Sequence, residues 1–555
     1  MTNGPGETSS LLDHNISDVD EHEVVSYVQL RRASIMSQRG DKMLPNFAAP
    51  ANRTDRLTSV RSHASFHDVR SLLSQHSLIA EPETDVNTEI FILLKYSFPL
   101  VLTFLLQYSL TVASIFSVGR LGSNELAAVS LSSMTANISA YAIFQGVSTC
   151  LDTLCAQSYG KKDFEAVGIH YMKCNYFLLL IYIPVFILWV FGSEPILYLI
   201  VGDEPLCHLA SKYLKILVIG VPGFILFENS KHFLQCQGVF HASTYVLAVC
   251  APINAFLNYI LVWDKRIGLG FIGAPLSVVI TNYLMCISLM SYIFFVRGHE
   301  CWPKGSIFNV KYFKNWNKMI SLSIPGVLLV EAEWLAFEII TFSASRFGTA
   351  VLAAQSIVST SCVLLYQVPF AFSIAASTRI AWFIGAASKK AAVKATRAAM
   401  ISALFVGVFD FAVLFFLRTD LAQLYSRDSA VIKIASKVLI VGALYQFNDS
   451  ISCASGGILR GQGRQKIAGI LNLICYYCVA LPLAFLCAFH FHLELLGLWL
   501  GMIVALFLIS ILQSYFVLKS DWDQIIDDCI NEGVSDGINI EAHSLVPSMS
   551  SSHIY

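Results

Sequence analysis

The sequence predicts an all-α polytopic membrane protein, with twelve transmembrane helices in two six-helix lobes related by a pseudo-twofold axis along the membrane normal. Three observations predict it. Of the 555 residues, 55% are hydrophobic and only 14% charged, and the mean hydropathy of +0.61 is too apolar for a soluble chain of this size. From residue 90 onward, apolar runs follow one another with short polar breaks, each long enough to cross about 30 Å of hydrocarbon. Finally, the chain matches itself without gaps at a shift of 226 residues.

Residues 1–86 are rich in Ser, Asp, Glu, Arg and His and carry no sustained period, so a disordered cytosolic tail is expected. Within it, Glu7-Thr8-Ser9-Ser10-Leu11-Leu12 fits an acidic dileucine pattern, which a sorting adaptor would read at Leu11 and Leu12. Arg31-Arg32-Ala33-Ser34 fits a basophilic kinase site at Ser34. An ordinary solvated tail explains both stretches equally well. No apolar core of signal-peptide length occurs there.

The expected spans are 90–118, 126–149, 167–191, 209–229, 241–262 and 270–296 in a first lobe (87–296), then 320–343, 351–377, 395–417, 431–458, 467–490 and 496–518 in a second (319–518). A basic cytosolic linker, 297–318, joins them. The acidic stretch 519–555 is too polar for a thirteenth span and reads as a cytosolic tail.

Orientation follows from loop charge, because Lys and Arg are enriched in cytosolic loops. One set of loops holds Lys161 and Lys162, the linker cations, Arg379, Lys389, Lys390, Lys394 and Arg397, then Arg460, Arg464 and Lys466. The opposite set is poorer: Arg120, Lys265, Arg266, Arg346, Arg418 and Arg427. Both termini therefore read as cytosolic.

The repeat brings Pro99 onto Pro325, Arg120 and Gly122 onto Arg346 and Gly348, and Leu126-Ala127-Ala128 onto Leu352-Ala353-Ala354. Leu234-Gln235-Cys236-Gln237-Gly238 matches Leu459-Arg460-Gly461-Gln462-Gly463 at one residue less. An even number of spans separates the copies, so both face the same way and an axis along the membrane normal relates them.

The chemistry is concentrated where the repeat breaks. The seventh span carries Glu331, Glu333 and Glu338 together with Pro325 and Trp334. A carboxylate at mid-membrane costs about 2.5–3.5 kcal/mol on insertion scales, so three in one span point to a polar cavity or to proton traffic. In the first half Glu333 is matched by Gln107 and Glu338 by Val112, which leaves the acids to the second lobe alone. At 100° per residue Glu331 and Glu338 share a face, and Glu333 points roughly 140–160° away. Pro325 removes a backbone donor and is a place for the span to bend or unwind.

These residues resemble the multidrug and toxic compound extrusion (MATE) family, in its eukaryotic branch and with an overall likeness to fungal members. The carrying motifs are Leu151-Asp152-Thr153-Leu154-Cys155-Ala156-Gln157-Ser158-Tyr159-Gly160, Glu333-Trp334-Leu335-Ala336-Phe337-Glu338, Ala354-Gln355-Ser356-Ile357-Val358, Val368-Pro369 and Gly456-Gly457-Ile458-Leu459-Arg460-Gly461. The resemblance covers about 90–520 and implies an antiporter that expels organic cations and other drug-like compounds in exchange for protons. Carried over by position, Glu333, Glu338 and Asp449 correspond to the family's cavity carboxylates. Two departures stand out: Val351 where relatives often have glutamate, and Trp382 where they place asparagine.

The expected site is therefore Glu333, Glu338 and Asp449, with Gln107 as a polar cavity group, Glu331 auxiliary or facing the neighbouring lobe, and Trp334 able to stack on a cation. Desolvation and like charge favour the neutral carboxyl over the carboxylate, so a proton and an organic cation compete for such a site. No cofactor is expected beyond the coupling ion, for which sodium stays open beside the proton. The expected partners are small organic cations and the bilayer. The net charge of −1, with basic residues in scattered short loops, gives no footprint for nucleic acid.

Neither HExxH nor GxSxG occurs, which disfavours an enzyme. A flippase for lipid-linked substrates would carry cavity cations rather than acids. Cys475-Tyr476-Tyr477-Cys478 reads as packing cysteines and His490-Phe491-His492 as a loop, not metal sites. Asp410 in the ninth span is balanced between a functional and a packing role, and Asp152 reads as a capping or gating residue. The dileucine pattern tilts the expected location towards the vacuolar membrane over the plasma membrane.

Overall fold

The computed structural model describes residues 84–531 apart from 120, 265, 267, 304 and 307. The patterns at Leu11, Leu12 and Ser34, most of both tails, and Arg120, Lys265 and Lys304 lie outside the described residues. Among those described, twelve helices are long and apolar enough to cross a membrane. They are α1 (Val86–Val118), α2 (Asn124–Gly160), α3 (Phe164–Val201), α4 (Glu204–Gln235), α5 (Ala242–Trp263) and α6 (Gly270–Phe295), then α7 (Asn317–Phe347), α8 (Thr349–Gly385), α9 (Lys389–Phe416), α10 (Ser429–Gly461), α11 (Gln465–His490) and α12 (Glu494–Leu518).

Each matches one expected span, and several run past it. α2 has 37 residues, about 55 Å of helix, so its ends stand outside the hydrocarbon where polar residues carry no insertion cost. Hydropathy marks only the apolar part. Aspartates start several of the helices: the carboxylates of Asp163, Asp203 and Asp428 accept from the backbone N–H of Ala166, Leu206 and Ala430 at 3.0, 3.3 and 2.8 Å, satisfying donors that have no partner inside the helix.

The packing repeats as the sequence does. In the first lobe α1 packs on α5, α2 on α4, and α4 and α5 on α6; in the second α7 packs on α11, α8 on α10, and α10 and α11 on α12. Each lobe has its own apolar core, one built around Phe144, Tyr171, Trp189, Phe227 and Phe233, the other around Tyr445, Tyr476 and Trp499. The lobes meet along two seams that the twofold interchanges, α1 against α8 and α2 against α7, with the end of α2 also packed on α8 and α1 on α9.

On the second seam the backbones touch. A Cβ placed on Gly146 of α2 would come within 2.5 Å of Val327 Cα on α7, and one on Gly326 would collide with the Gly146 carbonyl. Small residues here allow the close approach. The first seam is apolar at its middle, where Leu100 and Phe104 meet Ala371 and Ile374.

The unwinding that Pro325 allows does not occur. α7 stays α-helical from Asn317 to Ala344 through Pro325. Side chains of α11 hold its backbone: Gln465 Nε2 donates to the Leu322 carbonyl at 2.8 Å and Asn472 Nδ2 to the Leu329 carbonyl at 3.4 Å. These bonds tie the α7 backbone to α11 on either side of Pro325.

Candidate substrate and coupling site

An unbroken α7 sorts its three glutamates by angle. Ala332, Ala336 and Ile340 are buried in the core of the second lobe. Glu333 lies roughly 60° around the helix from their direction, whereas Glu331, Trp334 and Glu338 lie about 140–160° from it. Those three continue the line of Val327, which packs on the other lobe. Glu331 and Glu338 are partly buried and Trp334 is 39% exposed, so they form an acidic-aromatic stripe on the side of α7 that carries Val327. One oxygen of Glu331 is buried without a hydrogen-bond partner. Gln107, at the matching place on α1, is partly buried.

Glu333 turns inward to α10 and α11. The Tyr445 hydroxyl donates to Glu333 Oε1 at 2.7 Å. One turn further along α10, Asp449 is buried and lies in electrostatic reach of Glu333. Asp449 is held by Gln446 Nε2 at 3.3 Å and faced by the Cys453 thiol at 3.7 Å. Tyr476 stands in a π-helical stretch of α11, Cys475–Ala480, of the kind that marks functional sites. Its buried hydroxyl lies within electrostatic reach of both acids, outside hydrogen-bond alignment. Behind them Tyr445 packs edge-on against Phe337 and Trp499, and Trp499 Nε1 donates to Gln355 Oε1 at 2.8 Å. The structure thus brings Glu333 and Asp449 together and leaves Glu338 and Glu331 on the separate stripe.

Among the described residues no Lys or Arg forms an ion pair with Glu331, Glu333, Glu338, Asp410 or Asp449. Two neighbouring acids without a counter-charge, Asp449 buried and Glu333 partly buried, cannot both stay ionised cheaply. The pair is chemically suited to take up a proton or a cation.

The end of the molecule that bears the basic loops is sealed between lobes. Glu89 of α1 receives a two-pronged bond from Arg379 of α8, with Nε at 3.0 Å from Oε2, and the guanidinium lies over the rings of Trp382 and Phe383. Trp382 Nε1 donates to the Cys236 carbonyl at 2.7 Å. Thr153 Oγ1 and Gln157 Nε2 cap the Arg460 and Gly461 carbonyls at 2.6 and 3.2 Å. Asp152 is bonded to His232 Nδ1 at 2.5 Å and faces Arg460 Nε at 3.4 Å, and Lys231 pairs with Glu228 at 2.6 Å. Arg379, partly buried, and Arg460, buried, are therefore helix residues held in pairs, not the loop cations that the sequence suggested.

Reading from sequence missed this network because the fourth span was ended at 229. The signal was present as Glu228, Lys231 and His232, charges at one-turn spacing that can neutralise one another. Both departures find a place: Val351 is packed in the second core, and Trp382 fills the closed basic end. Cys475 is buried but Cys478 is exposed, so only the first packs in the protein; the reading of both as packing residues is corrected, since a π-turn rotates Cys478 outward. Among the described residues no cluster of three or more His, Cys, Asp or Glu is placed to hold a metal.

The MatE family model matches residues 99–260 and again 325–486, the two matches starting 226 residues apart. The chain belongs to the MatE family. Its similarity extends over 447 residues at 43% identity to an uncharacterized transporter of Saccharomyces cerevisiae, covering 80% of this chain and 64% of the relative, so about a third of that relative lies outside the match. Multidrug and toxin extrusion protein 1 of Homo sapiens is 28% identical over 434 residues, 78% of this chain and 75% of that one. The crystal structure of the eukaryotic MATE transporter AtDTX14 superposes with a TM-score of 0.75 at 25% identity, covering 80% of this chain and 99% of that one. The chain is thus a multi-pass membrane transporter of the MATE type, with the twelve-helix, two-lobe fold.

Proposed function

We propose that the protein is a proton-coupled antiporter that moves organic cations out of the cytosol by alternating access. The observation that carries this reading is the Glu333–Asp449 pair, inside the second lobe and without a cationic partner. A proton neutralises such a pair and an organic cation compensates its charge, so the two ligands exclude one another. If the lobes rock only when loaded, competition alone gives exchange. The stripe of Glu331, Trp334 and Glu338 supplies charge and an aromatic face for a cation arriving in the cleft. Loop charge places the sealed basic end in the cytosol, so the conformation described is the one closed to the cytosol. The dileucine at Leu11 and Leu12 favours a vacuolar destination.

The test is uptake of a fluorescent organic cation into vesicles containing the purified protein, driven by an imposed pH gradient. A two-unit gradient supports roughly hundredfold accumulation for one-to-one exchange. The wild type accumulates dye and Glu333→Gln, incorporated to the same level, does not. Equal uptake by both would remove Glu333 from the coupling site, and uptake that follows a sodium gradient at constant pH would replace the proton as coupling ion.

A further inference from the structure

A third acid lies behind the pair, on α9. Asp410 is fully buried, as are Gln446, Asp449 and Ser450 on α10. The helices meet closely here: a Cβ on Gly407, one turn before Asp410, would stand 3.0 Å from the Phe447 carbonyl. The Ser450 hydroxyl shares its one proton between the Gln446 carbonyl at 3.2 Å and Asp410 Oδ2 at 3.4 Å. The other oxygen, Asp410 Oδ1, has no partner, and neither has Gln446 Oε1, the back of the amide that holds Asp449. Two acceptor oxygens are thus orphaned beside a second carboxylate. A buried unpaired acceptor is costly, and no protein donor remains here to satisfy it. In the first lobe the shift of 226 residues puts Pro184 at this place, so nothing in the shared packing of the repeat demands an acid.

We propose that Asp410, with Asp449 and Gln446, forms a second site for a small monovalent cation, a proton or a sodium ion, distinct from the Glu333 carboxylate. Either ion supplies what the orphaned oxygens lack: a proton turns a carboxyl oxygen into a donor, and sodium takes oxygen ligands directly. The titratable groups that face Asp410 are Asp449 from α10 and the buried thiol of Cys362 from α8. Among the described residues no charged group of α1, which also packs on α9, lies in its electrostatic reach. Filling this site as well as the Glu333 site makes the transport cycle carry one more cation than the Glu333 site alone would. That consequence, though not the site itself, rests on the antiport reading.

The site is tested on purified full-length protein in lipid nanodiscs by infrared difference spectroscopy, titrating pH and, separately, exchanging choline chloride for sodium chloride. The expected result is a carboxyl band that responds to one of the two titrations in the wild type, is lost in Asp410→Asn and persists, displaced, in Asp410→Glu. Response to pH alone assigns the proton; response to sodium at fixed pH assigns sodium. Identical titrating bands in the wild type and Asp410→Asn overturn the proposal, whatever the transport assay gives. Should Asp410→Asn not fold, Ser450→Ala removes only the hydroxyl donor; a band that it fails to displace overturns the proposal equally.

Transport provides the second arm. Each coupled proton multiplies accumulation by about tenfold per pH unit, so Asp410→Asn lowers steady-state dye accumulation by about tenfold per unit of imposed gradient without abolishing uptake. For sodium the same loss appears per tenfold sodium gradient. No uptake by the wild type would refute the antiport reading and leave the infrared result to decide the site.

Discussion

Arg460 of α10 reaches across the lobe boundary to Asp152 of α2, with its Nε 3.4 Å from Oδ2 and both groups nearly inaccessible to solvent. Neither atom makes an aligned hydrogen bond, so the attraction is that of two close charges, while Nη2 of Arg460 donates to Ser373 Oγ of its own lobe at 2.9 Å. Asp152 is meanwhile held by His232 of its own lobe at 2.5 Å. Each charge thus keeps a partner when the lobes part, a property suited to a contact that opens and closes.

Breaking this contact from one side favours the state open at the basic end. Removing Arg460 takes from the buried Asp152 its cation in the other lobe and leaves it His232, and the lost attraction is offset by water when this end opens. Arg460→Met should therefore make Cys236, buried in the sealed end, reactive to an impermeant maleimide added on the basic-loop side. In the wild type Cys236 should stay protected. Protection in both proteins would show that the other seals suffice.

Tyr445 and Glu333 give a graded test of the inner site. Tyr445→Phe removes one hydroxyl, and hydrogen bonds to charged groups are worth about 1.5–3 kcal/mol. Because a bound cation needs the ionised carboxylate that this hydroxyl supports, KM for the organic cation should rise by roughly tenfold or more, with transport retained. Glu333→Gln should abolish it. A Tyr445→Phe protein with unaltered KM would place cation binding outside this pair.

The spans, the repeat and the importance of α7 were legible in the sequence because each is a local signal: hydropathy over some twenty residues, identity at a fixed shift, an acid where acids are expensive. The angular separation of Glu333 from Glu331 and Glu338 was legible too, since it needs only helix geometry, and Pro325 does not disturb it. What could not be read was which helices supply the other half of each contact. Tyr445 and Tyr476 are two tyrosines among many, and nothing local says that they face Glu333. Glu89, Arg379 and Arg460 look like solvated termini or loop charges until the lobes are put together, for Glu89 and Arg379 find each other across 290 residues and Arg460 faces Asp152 of the other lobe.

The glycine contact between the lobes is a steric requirement for closure. Any side chain on Gly146 meets the Val327 backbone, which cannot yield as a flexible side-chain tip would. Gly146→Val should hold α2 and α7 apart, leave each lobe's own core intact, and expose Cys236 to maleimide as Arg460→Met does, while lowering dye uptake by tenfold or more. Normal uptake would mean that transport does not pass through the conformation described.

The acidic-aromatic stripe should govern which cations are captured rather than whether exchange occurs. Glu331 and Glu338 lie on the same side of α7, two turns apart, with Trp334 between them, and neither has a cationic partner among the described residues. A ligand carrying two charges meets two carboxylates at once, whereas a singly charged one uses either. Neutralising both, as Glu331→Gln with Glu338→Gln, should therefore raise KM more for a dication than for a monocation of similar size. If each cation–carboxylate contact contributes about 1 kcal/mol, as exposed pairs do, the ratio of the two KM values changes by roughly fivefold. Uptake of the monocation should still respond to the imposed pH gradient, because Glu333 and Asp449 are untouched. Equal changes for both cations would make the stripe a general electrostatic funnel, and loss of all pH-driven uptake would bring these two glutamates into the coupling site itself.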